Sequence, residues 1–433
     1  MFHRSSRREL LKSSALASVG FWVSSRAPAA SRSPNEKLNI GVIGAGGRGA
    51  ADTAGVSGSE NIVALADVNE KNLDGAAKNF PQAKKYFDWR ELVEQKGLDA
   101  VIVATTDHTH ALATVAAMRH GLSVYCEKPI GHSVHEARVV RETYLANKDK
   151  IATQQGTQIH ATDNYRRVVE LVQGGAIGPV REAHVWCSRV GPCPKRPEDK
   201  PEVPKNIHWD LWLGPAPQRP YHPSYFGGCM AWEQRWDFGN GCIGDMGSHL
   251  IDLPFWALKL GHPLTAEAEG DVKSDESYPH WLKARWEHPA RGDMPPVKLF
   301  WYDGVQRPES PPGQDLQKWG IGVLFKGDNG MLVADYGRYV LLPEDKFKGF
   351  KAPPQTIPRS LGHYREWIQG CKTGSPTLCN FDYAGLLVEN NLLGTVAFRV
   401  GKKLTWDAEK LKAVDCPEAD RFIRRQYREG WTI

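Results

Sequence analysis

The sequence predicts an α/β protein: an N-terminal doubly wound parallel sheet, then a C-terminal α/β domain with an open mixed or antiparallel sheet. Three observations predict it. From Leu38 to about Gln155, short apolar runs alternate with helical patterns, the rhythm of strands joined by crossover helices. Those runs are continuously apolar, as in strands covered on both faces. Beyond Asn164 the texture turns to half-alternating, β-branched runs interrupted by prolines from Pro192 to Pro223, which suits a mostly antiparallel or mixed sheet.

In order, "LNIGVIG" reads as a buried strand, followed by a glycine turn and a helix through about Val56. "NIVALAD" is a strand and "EKNLDGAAKNF" a helix. "LDAVIVAT" is a strand, with a helix from about Thr109 to His120. "LSVYCEKP" is a strand, "SVHEARVVRETYLANK" a helix and "IATQQG" one more strand. In the second half, "NYRRVVELVQGGAIG" is a helix closed by Gly174-Gly175. "PVREAHVWCSRV" is a strand, and "WDLWLGPAP" a short helix stopped by Gly214-Pro215. Further strands are expected at Glu267–Val272, Trp281–His288, Val297–Tyr302, Ile321–Gly327 and Gly330–Asp335. Helices at Leu361–Lys372 and Tyr383–Val400 should pack back across the domain boundary. The division is then a leader at 1–30, a first domain at 37–160, a second at 161–410 and a tail at 411–433.

The 433 residues suffice for two or three domains. The net charge of +5 is concentrated near the N-terminus, and the rest is almost neutral. No basic stripe for nucleic acid is present. No apolar run reaches the ~18–20 residues that span a bilayer. Eight cysteines include no C-x-x-C pair, so no metal site is read. Which of them pair after export is open.

The first residues form an export pattern. Arg4, Arg7, Arg8 and Lys12 precede the apolar Ser13–Val23, and Ala27-Pro28-Ala29 follows as a cleavage site. The paired arginines in "SRRELLK" resemble a twin-arginine signal, so a periplasmic or otherwise exported location is expected. A basic tail for an anionic partner is the alternative.

"GVIGAGGRG" places Gly44, Gly46 and Gly49 in G-x-G-x-x-G between a strand and a helix, with Gly47 and Arg48 inside the loop. The glycines serve a tight turn, backbone approach to a pyrophosphate and close helix–sheet packing. The helix N-terminus offers free N–H groups to the phosphates. Asp67 ends the next strand, where an acid accepts both ribose hydroxyls and repels a 2′-phosphate. NAD is therefore expected over NADP, with Arg48 as the counter-signal.

Glu127-Lys128-Pro129 ends a strand of the parallel sheet, on the side where such sheets bind ligands. A lysine pointing into the cleft there would have its pKa lowered by partial burial; a surface lysine in a turn is the plainer reading. In "DFGNGCIGDMGSHLID", Asp245 and His249 stand four apart and share a helix face. A carboxylate beside an imidazole fixes the ring as a general base; an Asp cap with a packed histidine is the plainer reading. Trp209, Trp212, Trp232 and Trp236 precede this stretch. Trp236 is a candidate stacking surface for a sugar, and Arg235 either holds a substrate hydroxyl or carboxylate or forms a salt bridge.

On the glycine loop, Asp67, "TTDHTHA", "EKP", "GTQ" and "GDMGSHLID", the chain resembles the Gfo/Idh/MocA family of oxidoreductases over about Leu38 to Asp407. The resemblance implies a Rossmann domain, a C-terminal α/β domain and hydride transfer between a sugar or cyclitol hydroxyl carbon and nicotinamide. It implies that Lys128 binds the reacting hydroxyl and the cofactor. Asp245 would orient substrate and His249, and His249 would take or relay the proton. Thr105, His110 and Glu127 would lie along the cofactor, with His110 facing the cleft, while Asp107 or Thr109 caps the helix. Gln158 is a candidate cleft residue, with His160 beside it. A homo-oligomer, dimer or tetramer, built through the outer face of the C-terminal sheet is also implied. Some exported relatives use a tightly held NAD for redox-neutral glycoside hydrolysis, the alternative activity.

Overall fold

Six strands, β1 (Asn39–Ile43), β2 (Asn61–Ala66), β3 (Lys84–Tyr86), β4 (Ala100–Val103), β5 (Ser123–Cys126) and β6 (Thr153–Gln155), form one parallel sheet. This is seen in a computed structural model that describes residues 36–414 and 416–433; the export signal expected at Arg7-Arg8 lies outside the described residues. The spatial order is β3-β2-β1-β4-β5-β6. Helices α1 (Gly47–Ser57), α2 (Glu70–Asn79), α3 (Trp89–Val93), α4 (Asp107–Arg119) and α5 (Val134–Asn147) make the crossovers. Every residue of β4 and β5 is buried, which explains their unbroken apolar runs. The order reverses between β1 and β4, and the crevice at their carboxyl ends is where such sheets bind ligands.

Two of these elements were not anticipated. β3 is an edge strand of two exposed lysines and a tyrosine, so it has no apolar run to read, and α3 is a single turn capped by Asp88. α4 starts two residues before the expected Thr109, with Thr106 at the N-cap. Neither Asp107 nor Thr109 is its cap. α5 opens with a capping box between Ser133 and Glu136.

The second half begins with α6 (Asp163–Gln173), β7 (Val180–Cys187), α7 (Trp209–Leu213), α8 (Cys229–Glu233), α9 (Gly241–Leu250) and α10 (Asp252–Ala257). Then come β8 (Thr265–Gly270), β9 (Leu282–His288), β10 (Val297–Asp303), β11 (Ile321–Gly327), β12 (Gly330–Ala334) and β13 (Tyr339–Leu342). The chain ends with α11 (His363–Thr373), α12 (Phe381–Val400), β14 (Leu404–Asp407), β15 (Lys412–Val414) and α13 (Asp420–Ile423). The nine strands form one sheet in the order β13-β12-β11-β7-β10-β9-β8-β14-β15. β7 and β10 run parallel, and the remaining pairs are antiparallel.

α12 packs on β8 and β9 and also on α5 of the first domain. It is buried on nearly all sides, so it shows no amphipathic stripe. Its buried Glu389 is forked to Arg138 at 2.7 and 2.8 Å, which ties the two domains. Residues 411–433, set apart above as a tail, contain the edge strand β15. They then return to the first domain, where Arg425 Nε and Tyr427 Oη donate to Glu136 Oε1 at 2.7 and 2.9 Å. The stretch between β7 and α9 reaches over the first domain too. His208 N donates to Val68 O at 2.9 Å and Glu70 N to Asn206 O at 3.0 Å, beside the carboxyl end of β2.

Candidate functional site

The glycine loop is built by contact between backbones. Gly44 has φ +87°, and a Cβ there would lie 2.5 Å from Ala104 O; a Cβ on Gly49 would lie 1.8 Å from Gly44 O. Only glycine allows this approach of α1 to β1. A Cβ on Gly47 would meet nothing within 4 Å, because Gly47 faces an open cleft of about 560 Å³. Asp67 stands at one side of it. Its Oδ2 accepts from Ala45 N and Gly46 N at 3.0 and 3.1 Å, and its Oδ1 from Asn69 N at 2.8 Å. The cleft continues past Thr105 and Thr109 to Trp212, Phe226, Cys229 and Trp232 of the overreaching stretch. An open glycine cradle with a carboxylate at its edge fits a dinucleotide without a 2′-phosphate.

Arg48 is not free to hold a 2′-phosphate. Its Nε lies 3.1 Å from both Glu127 Oε1 and Asp52 Oδ1, and its Nη2 donates to Tyr364 Oη at 3.0 Å. Burial and the neighbouring Glu127 push the Asp52 carboxyl up to about 7. Gln158 Nε2 donates to Tyr125 Oη and Glu127 Oε1, both at 2.8 Å. Gln158 therefore serves the Glu127 cluster, and its amide N–H is not offered to substrate.

Cys229 connects the cleft to the charged centre. Cys229 Sγ and carboxylate oxygens of Glu233 and Asp245 lie within 4.8 Å of one another. Asp245, on the first turns of α9, accepts from Lys128 Nζ on one oxygen and from Arg189 on the other. Arg189 Nη2 also donates to Glu233 Oε1 at 2.7 Å. The two carboxylates that could bind a metal are thus already neutralised by Lys128 and Arg189. Gly239 permits this packing, since a Cβ there would lie 2.3 Å from Glu233 Cα.

Charge settles the protonation states. Burial opposes the charge on Lys128, but Asp245 and Glu127 outweigh it and raise its pKa. The lowering expected from burial alone does not occur, and Lys128 is an ammonium. Burial also opposes charge on Asp245, yet Lys128 and Arg189 hold it well below the usual carboxylate range. Burial, reinforced by Lys128, lowers His249 to about 4, so its imidazole is neutral at pH 7. Asp245 does not orient that ring: both its oxygens are engaged by cations, and no hydrogen bond joins the pair among the described residues. Asp107, fully buried beside Lys128, and Glu233 are pushed upward by burial first, Glu233 to about 7 under the added charge of Asp245. The centre therefore holds one neutral base and two carboxyls, Asp107 and Glu233, that bind their protons more tightly than usual.

Several expected site residues sit elsewhere. His110 is buried, with Nδ1 at 2.8 Å from Pro129 O and Nε2 at 3.0 Å from Thr105 O. It fastens the Thr105 loop to the Lys128 turn and does not face the cleft. Arg235 is 3% exposed and donates to Glu276 Oε1 and Lys195 O, both at 3.0 Å, so it forms a salt bridge and not a substrate contact. Trp236 is buried, its Nε1 donating to Ser274 O at 2.8 Å. The turn after α8 carries both residues against the 274–278 segment. His160 Nδ1 lies 2.9 Å from Asp252 Oδ1 and its ring stacks on Trp256. Arg189, Glu233 and Asp107 were not singled out as site residues. The only signal for Arg189 was its place just beyond the strand "HVWC", and Glu233 gave none.

Two family models match the chain. One describes an oxidoreductase family with an NAD-binding Rossmann fold and covers residues 38–154; the other describes the C-terminal α/β domain of the same family and covers residues 190–289. An inositol 2-dehydrogenase from Rubrobacter xylanophilus is 30% identical over 151 residues, 34% of this chain and 43% of that protein. A levoglucosan dehydrogenase from Pseudarthrobacter phenanthrenivorans is 24% identical over 236 residues, 50% of each. The chain spans about half the length, or less, of these curated relatives. A solved myo-inositol 2-dehydrogenase from Lactobacillus plantarum superposes with TM-score 0.56 at 15% identity, over 86% of this chain and 100% of that one. A levoglucosan dehydrogenase solved with NADH and levoglucosan gives 0.57 at 15% identity, over 85% and 99%. At these identities the structural likeness is one of fold.

Proposed function

The chain belongs to the Gfo/Idh/MocA oxidoreductase family that these two models describe, and on that premise we propose that it moves hydride between a hydroxyl-bearing carbon of a sugar or cyclitol and a tightly held NAD. The observation that carries this reading is the ammonium of Lys128, paired with Asp245 and set beside the neutral base His249, in a centre reached from the glycine-loop cleft through Cys229.

Gly44, Gly46, Gly47 and Gly49 would cradle the pyrophosphate, and Asp67 would accept the ribose hydroxyls. The dinucleotide supplies the hydride acceptor when bound; the protein handles the proton. Lys128 donates to the substrate oxygen and stabilises the charge that grows on it as the proton leaves. His249, uncharged above about pH 4, takes that proton. Asp245 keeps Lys128 charged, and Arg189 keeps Asp245 in place. Lys128→Ala should leave NAD bound while hydride transfer, followed as NADH absorbance, falls by ~10³-fold or more. Unchanged turnover overturns the reading.

A second activity draws support from Glu233. Its proton, retained to about pH 7, suits a general acid for a leaving glycosidic oxygen. We propose as the alternative a redox-neutral glycoside hydrolase: oxidation of a sugar hydroxyl to a ketone, loss of the adjacent proton with elimination of the aglycone as its alcohol, addition of water to the resulting unsaturated ketone, and return of the hydride to the carbonyl carbon. Phenol release from aryl glycosides without added NAD supports it; NADH accumulation without release supports the dehydrogenase.

We further propose that the Arg7-Arg8 signal exports the folded protein with its cofactor aboard, and that the chain forms a dimer or tetramer through the C-terminal sheet. Stoichiometric nicotinamide in the denatured extract of exported protein tests the first. Light scattering tests the second.

A further inference from the structure

A cavity of about 840 Å³ lies between the N-terminus of α5, the second half of α12 and the segment around α13, with Asn240 at the N-cap of α9 on its wall. Arg399, near the end of α12, is its central feature. Its guanidinium is sandwiched between Trp236 and Phe422, 4.9 and 4.2 Å from the ring centroids. Among the described residues it has neither an ion pair nor a hydrogen bond. Burial lowers its pKa to about 10. A desolvated cation with idle donors is costly unless an anion meets it. Arg421 opens on the same cavity, also without an ion pair or hydrogen bond among the described residues, its guanidinium 4.5 Å from the Phe422 ring. The Thr395 hydroxyl, on a residue 4% exposed, is buried on the wall with no partner.

The wall is not uniformly basic. Asp275 and Asp237 also line it. Asp237 is held by Arg219; Asp237 and Asp275 both attract Arg399 at longer range, but among the described residues neither is ion-paired or hydrogen-bonded to it. A bare inorganic anion would meet these carboxylates as repulsion. A ligand that presents an anionic group to Arg399 and Arg421 and hydroxyls to Asp275 and Thr395 satisfies both halves of the wall. The volume lies in the range of small-molecule sites.

We propose that this cavity is a second binding site, for an anionic sugar: a polyhydroxylated ring bearing a carboxylate or a phosphate. The site shares no lining residue with the cofactor cleft, so it stands or falls apart from the proposed catalysis. Titration calorimetry of the whole protein against glucuronate, glucose 6-phosphate, glucose and inorganic phosphate tests it. At least one of the two anionic sugars should bind saturably, and glucose and phosphate about tenfold more weakly or worse; which sugar binds identifies the anion. Arg399→Gln should weaken that binding about tenfold or more while NAD binding is unchanged. Should that variant not fold, the exposed Arg421→Ala decides: a threefold or greater loss (order of magnitude from a charge-assisted bond) sustains the site, and none overturns it. Saturable binding of neither sugar, equal binding of inorganic phosphate, or binding unaffected in a folded Arg399→Gln protein also overturns it.

Discussion

The glycine loop and the charged centre around Lys128 achieve their positions by opposite means. The loop is made of backbone: between Gly44 and Gly49 the missing side chains are the device, and all of it lies in one short stretch. The centre is made of side chains brought from five places, namely Lys128 after β5, Asp107 on α4, Arg189 after β7, Glu233 on α8, and Asp245 with His249 on α9. A site made of backbone fails by collision, whereas a site made of charges fails by imbalance.

The largest effect follows from collision. Gly49→Val would drive its side chain into Gly44 O, and neither backbone can yield without separating α1 from β1. NAD affinity should fall by ~100-fold or more, measured by fluorescence titration, with the second domain's near-ultraviolet signal retained. Affinity within about threefold of the parent protein would mean that the loop is not the cradle.

The next follows from imbalance. Arg189→Met leaves Glu233 unpaired and Asp245 with Lys128 alone. Removing one partner of a buried pair costs ~3–5 kcal/mol, so turnover should fall by about a hundredfold or more, with NAD affinity within about twofold. Arg189→Lys should recover part of the loss, since it restores the charge without the fork that reaches both carboxylates. Equal losses in turnover and NAD affinity would show that Arg189 supports the fold and not the charge balance.

The same contrast explains what could be read in advance. G-x-G-x-x-G, E-K-P and D-x-x-x-H are local patterns, each readable within one segment of the chain. The strands of the first sheet were legible because burial on both faces writes them as apolar runs; β3, β14 and β15 are three or four residues long and largely exposed on one side. Arg235 takes the salt bridge left open beside the substrate contact, and Trp236 is buried against Ser274 and not offered to a sugar, because the partners of both lie on the 274–278 segment, which no local spacing encodes. Arg189 and Glu233 were passed over for the complementary reason. Their role arises from the meeting of β7, α8 and α9, and no spacing within one segment encodes it. The charge of Lys128 differs from the expectation for the same reason: burial is readable from position, but the pairing with Asp245 and Glu127 that outweighs it is tertiary.

The smallest effect probes the charge count itself. Glu233→Gln fixes in neutral form a carboxyl that otherwise ionises near pH 7. If Arg189 and Lys128 already balance Asp245, hydride transfer should change by only about threefold at pH 6, and any inflection near pH 7 in the parent rate profile should vanish. The stability signature has a definite sign. Glu233 is an acid whose folded pKa lies above its usual 4.5, so the folded state binds the proton more tightly. Its contribution is present in full below pH 4.5 and is lost as pH rises to about 7. The parent's midpoint temperature minus that of Glu233→Gln should therefore decline across that window and level off above it. A difference that grows with pH would mean that Arg189 holds Glu233 ionised throughout, and the general acid required by the glycosidase alternative would be gone while the dehydrogenase reading stood.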